Sequence, residues 1–141
     1  MAAKRTDEPT LPARVLVVED DAVLAMMIED ALADAGATDI VQCRTTEDAL
    51  AALREEKPGA IVLDVHLADR DDGWAIAELV SNVGPNPPRI VFSTGAPQDI
   101  PPHVARLGTV LVKPYAPPEL VAAVADKPRS GLLSRLRKSR A

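Results

Sequence analysis

Three carboxylates follow directly on an apolar run near the start of the chain. Residues 14–23 read RVLVVEDDAV, so the apolar residues 15–18 run into Glu19, Asp20 and Asp21. An unpaired carboxylate is costly to bury, and three in succession at the end of a buried strand need an opposite charge nearby. For Asp21 a structural role, complementing the dipole of the following helix, is favoured. The roles of Glu19 and Asp20 depend on which positively charged group lies opposite them.

Three further apolar runs are followed by polar residues that suit the binding of a cation or a phosphoryl group. AIVL is followed by Asp64, RIVF by the hydroxyls of Ser93 and Thr94, and TVLV by Lys113. Clustered carboxylates favour a hard cation, and Mg²⁺ takes one or two carboxylates together with waters and phosphate oxygens. A lysine is a compact charge that suits a phosphoryl group, to which a hydroxyl can donate. These residue types indicate Mg²⁺-assisted phosphoryl chemistry.

Apolar runs alternate with helical patterns five times, which predicts how these residues meet. Repeated strand–helix alternation predicts an α/β fold in which helices cover both faces of a parallel sheet. In such sheets the site lies at the carboxyl ends of the strands. The predicted strands are Arg14–Val18, Asp39–Arg44, Ala60–Leu63, Arg89–Ser93 and Thr109–Val112.

Helices are predicted between the strands from apolar spacing and from residues that begin or end helices. The first ends at Gly36, the second begins at a capping box at Thr45, and the third runs from about Gly73 to Val83. The last begins near Pro117. Residues 96–108 contain three prolines, so the fourth helix is predicted to be short or irregular.

The ordered set of strand ends resembles the response-regulator receiver domain of two-component signalling over residues 13–126. The matching pieces are VVEDD, VLDVHL, FSTG and LVKPY, in this order. Each piece is weak alone, whereas their order at five-strand spacing is specific. The resemblance implies a flavodoxin-like (βα)5 fold with strand order 2-1-3-4-5.

The resemblance also implies roles for the residues at the strand ends. Asp64 would be the phosphoacceptor and would form an aspartyl phosphate by attack on phosphorus. Glu19, Asp20 and Asp64 would hold Mg²⁺ together with the backbone carbonyl of His66. Thr94 would hydrogen-bond the phosphoryl group and move with it.

Lys113 would pair first with Asp64 and then with a phosphoryl oxygen. In the family the lysine is oriented by the following proline, here Pro114, and the peptide bond between the two residues is often cis. Strand alternation and the small Gly95 favour Thr94 over its neighbour Ser93 for the hydroxyl role. His66 is expected to contribute its backbone rather than its imidazole, and its position bordering the phosphoryl site also allows an influence on hydrolysis.

Three features depart from the family pattern. The loop after Asp64 lacks the usual proline and runs one residue longer to Gly73. The aromatic switch residue is replaced by Val110, and Tyr115 is the only aromatic nearby, with packing as its expected role. The short fourth helix lies on the face that receivers often use for dimerisation or output.

Composition narrows the function classes further. The 141 residues are 47% hydrophobic and 26% charged, which is typical of one soluble domain. Aromatic residues make up 2%, which argues against the base-stacking surfaces of single-stranded nucleic acid binders. Cys43 is the only cysteine, so a disulfide within the chain is excluded. A secretory signal and an apolar run of about 20 residues are both absent from the sequence, so a cytoplasmic protein is expected.

The charges divide the chain into an acidic body and a basic tail. Residues 127–141 hold six of the 16 basic side chains and none of the 21 acidic ones, so residues 1–126 carry a net charge of −11. The predicted organisation is a disordered segment 1–13, a receiver domain 14–126 and the basic tail 127–141. Four interpretations of the basic tail stay open: a disordered segment that keeps the protein in solution, a segment that docks on a partner, one that binds an anionic membrane surface, and one that folds back onto the acidic body. Its three leucines are too few for stable membrane anchoring.

The function expected from the resemblance is a phosphorylation-dependent switch rather than an enzyme. A histidine kinase or phosphotransfer protein would phosphorylate Asp64, and the output would be contact with a downstream protein, without an output domain and without DNA. The alternatives are a phosphate shuttle or sink in a phosphorelay, a small Mg²⁺-dependent phosphatase and a phosphorylation-independent binding module. Phosphatases resembling the haloacid dehalogenases want an acid two residues after the nucleophile, where this chain has His66.

Overall fold

The structure is a computed structural model that describes residues 10–67, 69, 72–82 and 84–125. Within these residues the strands form one parallel five-stranded sheet of order β2-β1-β3-β4-β5, which confirms the predicted fold. β3 and β4 each extend one residue further than predicted, and β2 ends one residue earlier. The strands are β1 Arg14–Val18, β2 Asp39–Cys43, β3 Ala60–Asp64, β4 Arg89–Thr94 and β5 Thr109–Val112.

In the part of the chain that the structure describes, five α-helices connect or follow the strands. The segment between β4 and β5 contains a single 3₁₀ turn, Pro97–Asp99, and a one-turn helix, as its prolines predict. The third helix is shorter than predicted, because residues around Gly73 form tight i to i+3 turns before it begins. The helices are α1 Ala22–Asp34, α2 Thr46–Glu55, α3 Ala75–Ser81, α4 Pro102–Ala105 and α5 Pro117–Ala125.

The sheet separates two aliphatic clusters. Successive residues of a strand point to opposite faces, so Val17 and Val62 pack under α1 and α5, while Val18 and Leu63 pack under α2, α3 and α4. The central strands are therefore buried on both faces, as is usual for parallel sheets. This arrangement leaves only the two ends of the strands for polar groups.

Side-chain caps fix where the first two helices begin. The Asp21 carboxylate accepts hydrogen bonds from the backbone N–H groups of Val23 and Leu24, so this residue caps α1. Thr45 caps α2 by accepting from the Asp48 N–H, as its capping box predicts. Asp21 thus serves the helix, while the two preceding acids remain at the end of β1.

The first described residues lie against the sheet. The Ala13 carbonyl accepts hydrogen bonds from the backbone that opens β2, and Leu11 packs against the cluster under α1 and α5. The remainder of the predicted disordered segment, residues 1–9, and the predicted basic tail, residues 127–141, lie outside the described residues. Among the helices that the structure describes, none is long and apolar enough to cross a lipid bilayer.

Candidate functional site

The ends of β1 and β3 bring three carboxylates together. Val18 pairs with Leu63 in register, so the next residues, Glu19 and Asp64, are neighbours at the same edge of the sheet. Glu19 is 3% exposed and Asp64 is 5% exposed. One carboxylate oxygen from each of Glu19, Asp20 and Asp64 lies within 4.8 Å of the others. We call these three residues the carboxylate pocket.

Lys113 supplies the opposite charge that the sequence requires. Its Nζ lies 3.1 Å from Glu19 Oε1 and 3.4 Å from Asp64 Oδ2. The lysine follows β5, whose alignment with β4 continues through a hydrogen bond from Lys113 N to the Thr94 carbonyl. The Lys113–Pro114 peptide bond is cis. The expected pairing of Lys113 with Asp64 is present, and a shorter contact with Glu19 accompanies it.

The electrostatics of the carboxylate pocket reflect its burial. The pKa of Glu19 is raised to about 7, chiefly by burial and also by the nearby charge of Asp64, against the opposing effects of the Asp21 N–H and Lys113. For Lys113, burial alone would lower the pKa, but the Glu19 and Asp64 carboxylates outweigh burial and raise it. The pocket brings three carboxyl groups together beside Lys113, a donor set that suits a divalent cation.

The loop after β3 closes one side of the pocket. The His66 N–H donates to Asp64 Oδ1 at 3.1 Å, while the His66 imidazole points away and lies 2.9 Å from Asp99 Oδ2. A Cβ at Gly73 would stand 2.9 Å from the Asp64 carbonyl oxygen, so the close approach of the loop requires a glycine there. The role of the His66 carbonyl as a metal ligand stays a prediction.

The two hydroxyls at the end of β4 have different partners. Thr94 is fully buried, and its Oγ1 accepts a hydrogen bond from the Ala96 N–H at 2.9 Å. Within the described residues it forms no hydrogen bond to the carboxylate pocket. Ser93 Oγ lies 2.7 Å from the hydroxyl of Tyr115, on the α1 and α5 side of the sheet. Tyr115 thus packs, as expected, and also bonds to the strand.

Val110 and Gly95 are two further positions that the sequence analysis singled out by comparison with the family pattern. Val110 is half-buried against the cluster under α2, α3 and α4, where the family has its aromatic residue. Gly95 is exposed, and a Cβ built there would meet nothing within 4 Å. Packing therefore does not require a glycine at position 95, and its supporting role stays a prediction.

Some contacts at this edge have no signal in the sequence. Arg44, at the end of β2, donates through its guanidinium to the Asp20 carbonyl at 3.2 Å. The Asp69 carboxylate accepts the Thr46 N–H at the start of α2. Like the Ser93–Tyr115 and His66–Asp99 contacts, these join residues from different elements, so local spacing does not reveal them.

The sequence and the fold are both similar to those of known proteins. The response regulator receiver domain family matches residues 15–125. The chemotaxis protein CheY of Thermotoga maritima is 28% identical over 79% of this chain and 93% of CheY. The transcriptional regulatory protein PdtaR of Mycobacterium tuberculosis is 26% identical over 88% of this chain and 61% of PdtaR.

A solved structure shows the same fold. The structure of a mutant of the anti-anti-sigma factor PhyR from Bartonella quintana has a TM-score of 0.69 and 22% identity, and the match covers 95% of this chain and 52% of PhyR. The chain thus spans about three fifths of PdtaR and half of PhyR. Members of the matching family are generally switches in two-component signalling rather than classical enzymes, and the chain belongs to the response regulator receiver domain family.

Proposed function

We propose that this receiver is a phosphorylation-dependent switch whose phosphoacceptor is Asp64. The observation that carries the proposal is the position of Lys113, whose ammonium lies within 3.4 Å of Asp64 and closer still to Glu19. A buried carboxylate with a lysine beside it and a neighbouring acid pair can receive a phosphoryl group without leaving its charge uncompensated.

The donor set of the carboxylate pocket fits Mg²⁺. Glu19, Asp20 and Asp64 present carboxylate oxygens to a common point, and the His66 carbonyl is the predicted further ligand. When bound, Mg²⁺ neutralises charge on the transferring phosphoryl oxygens. Three buried or half-buried carboxylates facing one lysine support this cofactor assignment.

The transfer step uses the carboxylate of Asp64 as the nucleophile. An Asp64 oxygen forms a bond to phosphorus, the N–P bond of a donor phosphohistidine breaks, and the imidazole leaves with the bonding electrons and takes up a proton. Lys113 neutralises a phosphoryl oxygen. Catalysis in this site is therefore positioning and charge compensation, so small phosphodonors are also expected to react.

The new charge then moves the groups beside it. The aspartyl phosphate carries about −2 charge at neutral pH in place of the single charge of a carboxylate. The added charge draws Lys113 from Glu19. The Thr94 hydroxyl, which accepts from the Ala96 N–H, gains a phosphoryl oxygen to which it can donate. Because Thr94 lies at the end of β4, its movement changes the 3₁₀ turn and α4 that follow. The resulting surface would bind a downstream protein, after phosphorylation by a histidine kinase or phosphotransfer protein.

The alternative uses of the site differ in what happens after uptake. A phosphate shuttle or sink would use the same bond to Asp64 and would return the group to a histidine. The phosphatase alternative lacks support, because the residue two positions after Asp64 is His66 rather than the carboxylic acid that such phosphatases want, and its imidazole contacts Asp99.

Mass spectrometry of the intact chain tests the proposal. Incubation with acetyl phosphate and Mg²⁺ is expected to add the mass of one phosphoryl group to the wild type and none to Asp64→Asn. Asp30→Asn, which alters an exposed aspartate on α1, is the matched control and is expected to behave as the wild type. An adduct retained by Asp64→Asn would sink the assignment, and uptake that persists in excess chelator would overturn the role of Mg²⁺.

A further inference from the structure

A surface groove lies between α2 and α3, away from the carboxylate pocket. Its volume is about 270 Å³, and apolar side chains from both helices form its floor. Leu79 is 51% exposed at its edge. We call it the basic-rimmed groove, and it is lined by Leu50, Leu53, Arg54, Lys57, Leu79, Val80 and Pro88.

Two cations border the groove without a partner. Within the described residues, neither Arg54 nor Lys57 forms an ion pair or a side-chain hydrogen bond. The neighbouring acids Glu55 and Glu56 are not among the residues that line the groove, whose charged lining consists of Arg54 and Lys57. The rim is therefore a local positive charge on a body that carries a net charge of −11 over residues 1–126.

The topology places the groove at the edge of the sheet opposite the pocket. α2 and α3 run back toward the amino ends of β3 and β4. Apart from Leu50 at the middle of α2, the lining residues lie in the second halves of these helices or in the segments that lead into β3 and β4. Pro88 precedes β4, whereas the carboxylate pocket lies at the carboxyl ends of β1 and β3. A molecule seated in the groove leaves the pocket open.

The size and shape of the groove favour a helix over a small molecule. Pockets for drug-sized ligands measure about 300–1,000 Å³ and enclose the ligand, whereas this groove is smaller and open between two helices. The half-buried Leu50 and Leu53 at helical spacing on α2, with the exposed Leu79 opposite, match the mode in which an amphipathic helix lays its apolar face into a groove. The unpaired Arg54 and Lys57 then require carboxylates beside that apolar face.

The termini of this chain do not provide such a segment. Residues 127–141 contain leucines but six basic and no acidic side chains, so the rim repels them. Residues 1–9 contain no leucine, isoleucine, valine or aromatic residue. Charge complementarity therefore favours a different chain.

We propose that the basic-rimmed groove binds an amphipathic helix of a partner protein, with acidic side chains flanking its apolar face, and that this binding leaves the carboxylate pocket accessible. The receiver would then be tethered to the partner through α2 and α3 independently of the chemistry at the strand ends.

Two labelled helical peptides of about 18 residues test the proposal by fluorescence anisotropy with the full chain. They share leucines at i, i+3, i+4 and i+7 and differ in having either glutamate or lysine beside them. The acidic peptide is expected to bind at least about tenfold more tightly than the basic one. Arg54→Glu combined with Lys57→Glu is expected to reverse this preference, and Mg²⁺ to change the Kd by less than about twofold.

Variants separate the groove from other exposed apolar positions. Leu79→Glu is expected to weaken binding of the acidic peptide about tenfold, whereas Met26→Glu is expected to leave it unchanged. Met26 is 62% exposed on α1, on the opposite face of the sheet. Because Leu79 is also half exposed, its substitution keeps the fold, which circular dichroism checks.

Four outcomes would overturn the proposal. They are equal affinity for both peptides, unchanged binding by Leu79→Glu, self-association in the absence of peptide that Leu79→Glu abolishes, and amide shifts at residues 50–57 on deletion of residues 127–141. The third result would assign the groove to a second copy of the chain, and the fourth to its own tail.

Discussion

The two edges of the sheet depart from the usual distribution of polar and apolar groups in opposite directions. At the carboxyl edge the chain buries charge, since Glu19 and Asp64 are almost completely covered. At the amino edge it exposes apolar surface, since Leu79 lies half exposed beside the cations Arg54 and Lys57. Both edges belong to the same parallel sheet, and its two faces are packed with ordinary aliphatic residues.

The contrast teaches where to look for function in this fold. Buried polar groups and exposed apolar patches are the informative departures, because each costs stability that the fold alone does not need to lose. The carboxyl edge reduces its cost with Lys113 and is suited to a cation and a phosphoryl group. The amino edge has no such internal partner among the described residues, which is why we assign it to another protein.

The largest change in the free energy of unfolding is expected when the pH is varied in metal-free buffer, through the protonation of Glu19 at the carboxyl edge. The Glu19 carboxyl loses its proton at about 4.5 in the unfolded chain but only at about 7 in the folded one. Between these values the folded chain binds the extra proton, so the free energy of unfolding falls as pH rises. One pKa unit corresponds to about 1.4 kcal/mol, so Glu19 contributes a fall of about 3 kcal/mol.

Urea unfolding from pH 4.5 to 8 measures this effect as the difference between the wild type and Glu19→Gln. The variant has no proton to lose at this position, so it should be the more stable of the two at pH 8 and show a shallower pH dependence. Parallel pH profiles would contradict the buried, ionisable state of Glu19.

A somewhat smaller effect is expected when the lysine at the carboxyl edge is replaced, and almost none when a lysine at the amino edge is replaced. Lys113→Met leaves the Glu19 and Asp64 carboxylates without their cation and should lower the free energy of unfolding by about 2 kcal/mol at pH 8. Lys57→Met at the amino edge should change it by less than about 0.5 kcal/mol. Methionine keeps the apolar stem in both variants, so the difference isolates the charge.

Metal-free urea unfolding at pH 8 and pH 5 compares the two lysine variants. The loss in Lys113→Met should shrink at pH 5, where Glu19 takes up a proton. Equal losses at both edges would mean that the ammonium of Lys113 does not stabilise the carboxylate pocket.

The smallest change in the free energy of unfolding is expected when an apolar side chain that lines the groove is replaced. Leu79→Gln should change the free energy of unfolding by less than about 0.5 kcal/mol, because the side chain is already half in water. Leu63→Ala, in the fully buried end of β3, should cost about 2–5 kcal/mol and serves as the reference. Thermal unfolding of both variants gives the comparison, and a cost for Leu79→Gln near that of Leu63→Ala would place Leu79 in the core.

The fold was largely predictable because its signals are local. Apolar runs such as that ending at Val18 define the strands, and the capping residue Thr45 and the prolines of residues 96–108 define helix starts and the short α4. The third helix was predicted too long, since its apolar spacing continues through residues whose backbone forms tight turns. That difference comes from the loop around Gly73, which must pass close to the Asp64 carbonyl.

The membership of the carboxylate pocket was also predictable, because parallel strands end at one edge, Glu19 and Asp20 are the first two residues after β1, and Asp64 ends β3. The side-chain contacts within the site were less predictable. The closer contact of Lys113 with Glu19 joins residues 94 positions apart. The contact between Ser93 and Tyr115 likewise depends on how the segment after β5 returns over the sheet.

The α/β architecture, the set of residues at the strand ends and the resemblance to receivers can all be read from local sequence, because periodicity and residue type act over a few neighbouring positions. Three features depend on tertiary packing: the depth at which Glu19 is buried, the direction of the His66 imidazole toward Asp99, and the groove between α2 and α3. These features arise where distant elements pack. Burial, and with it the pKa of a carboxyl or the exposure of a leucine, is a property of that packing rather than of any segment.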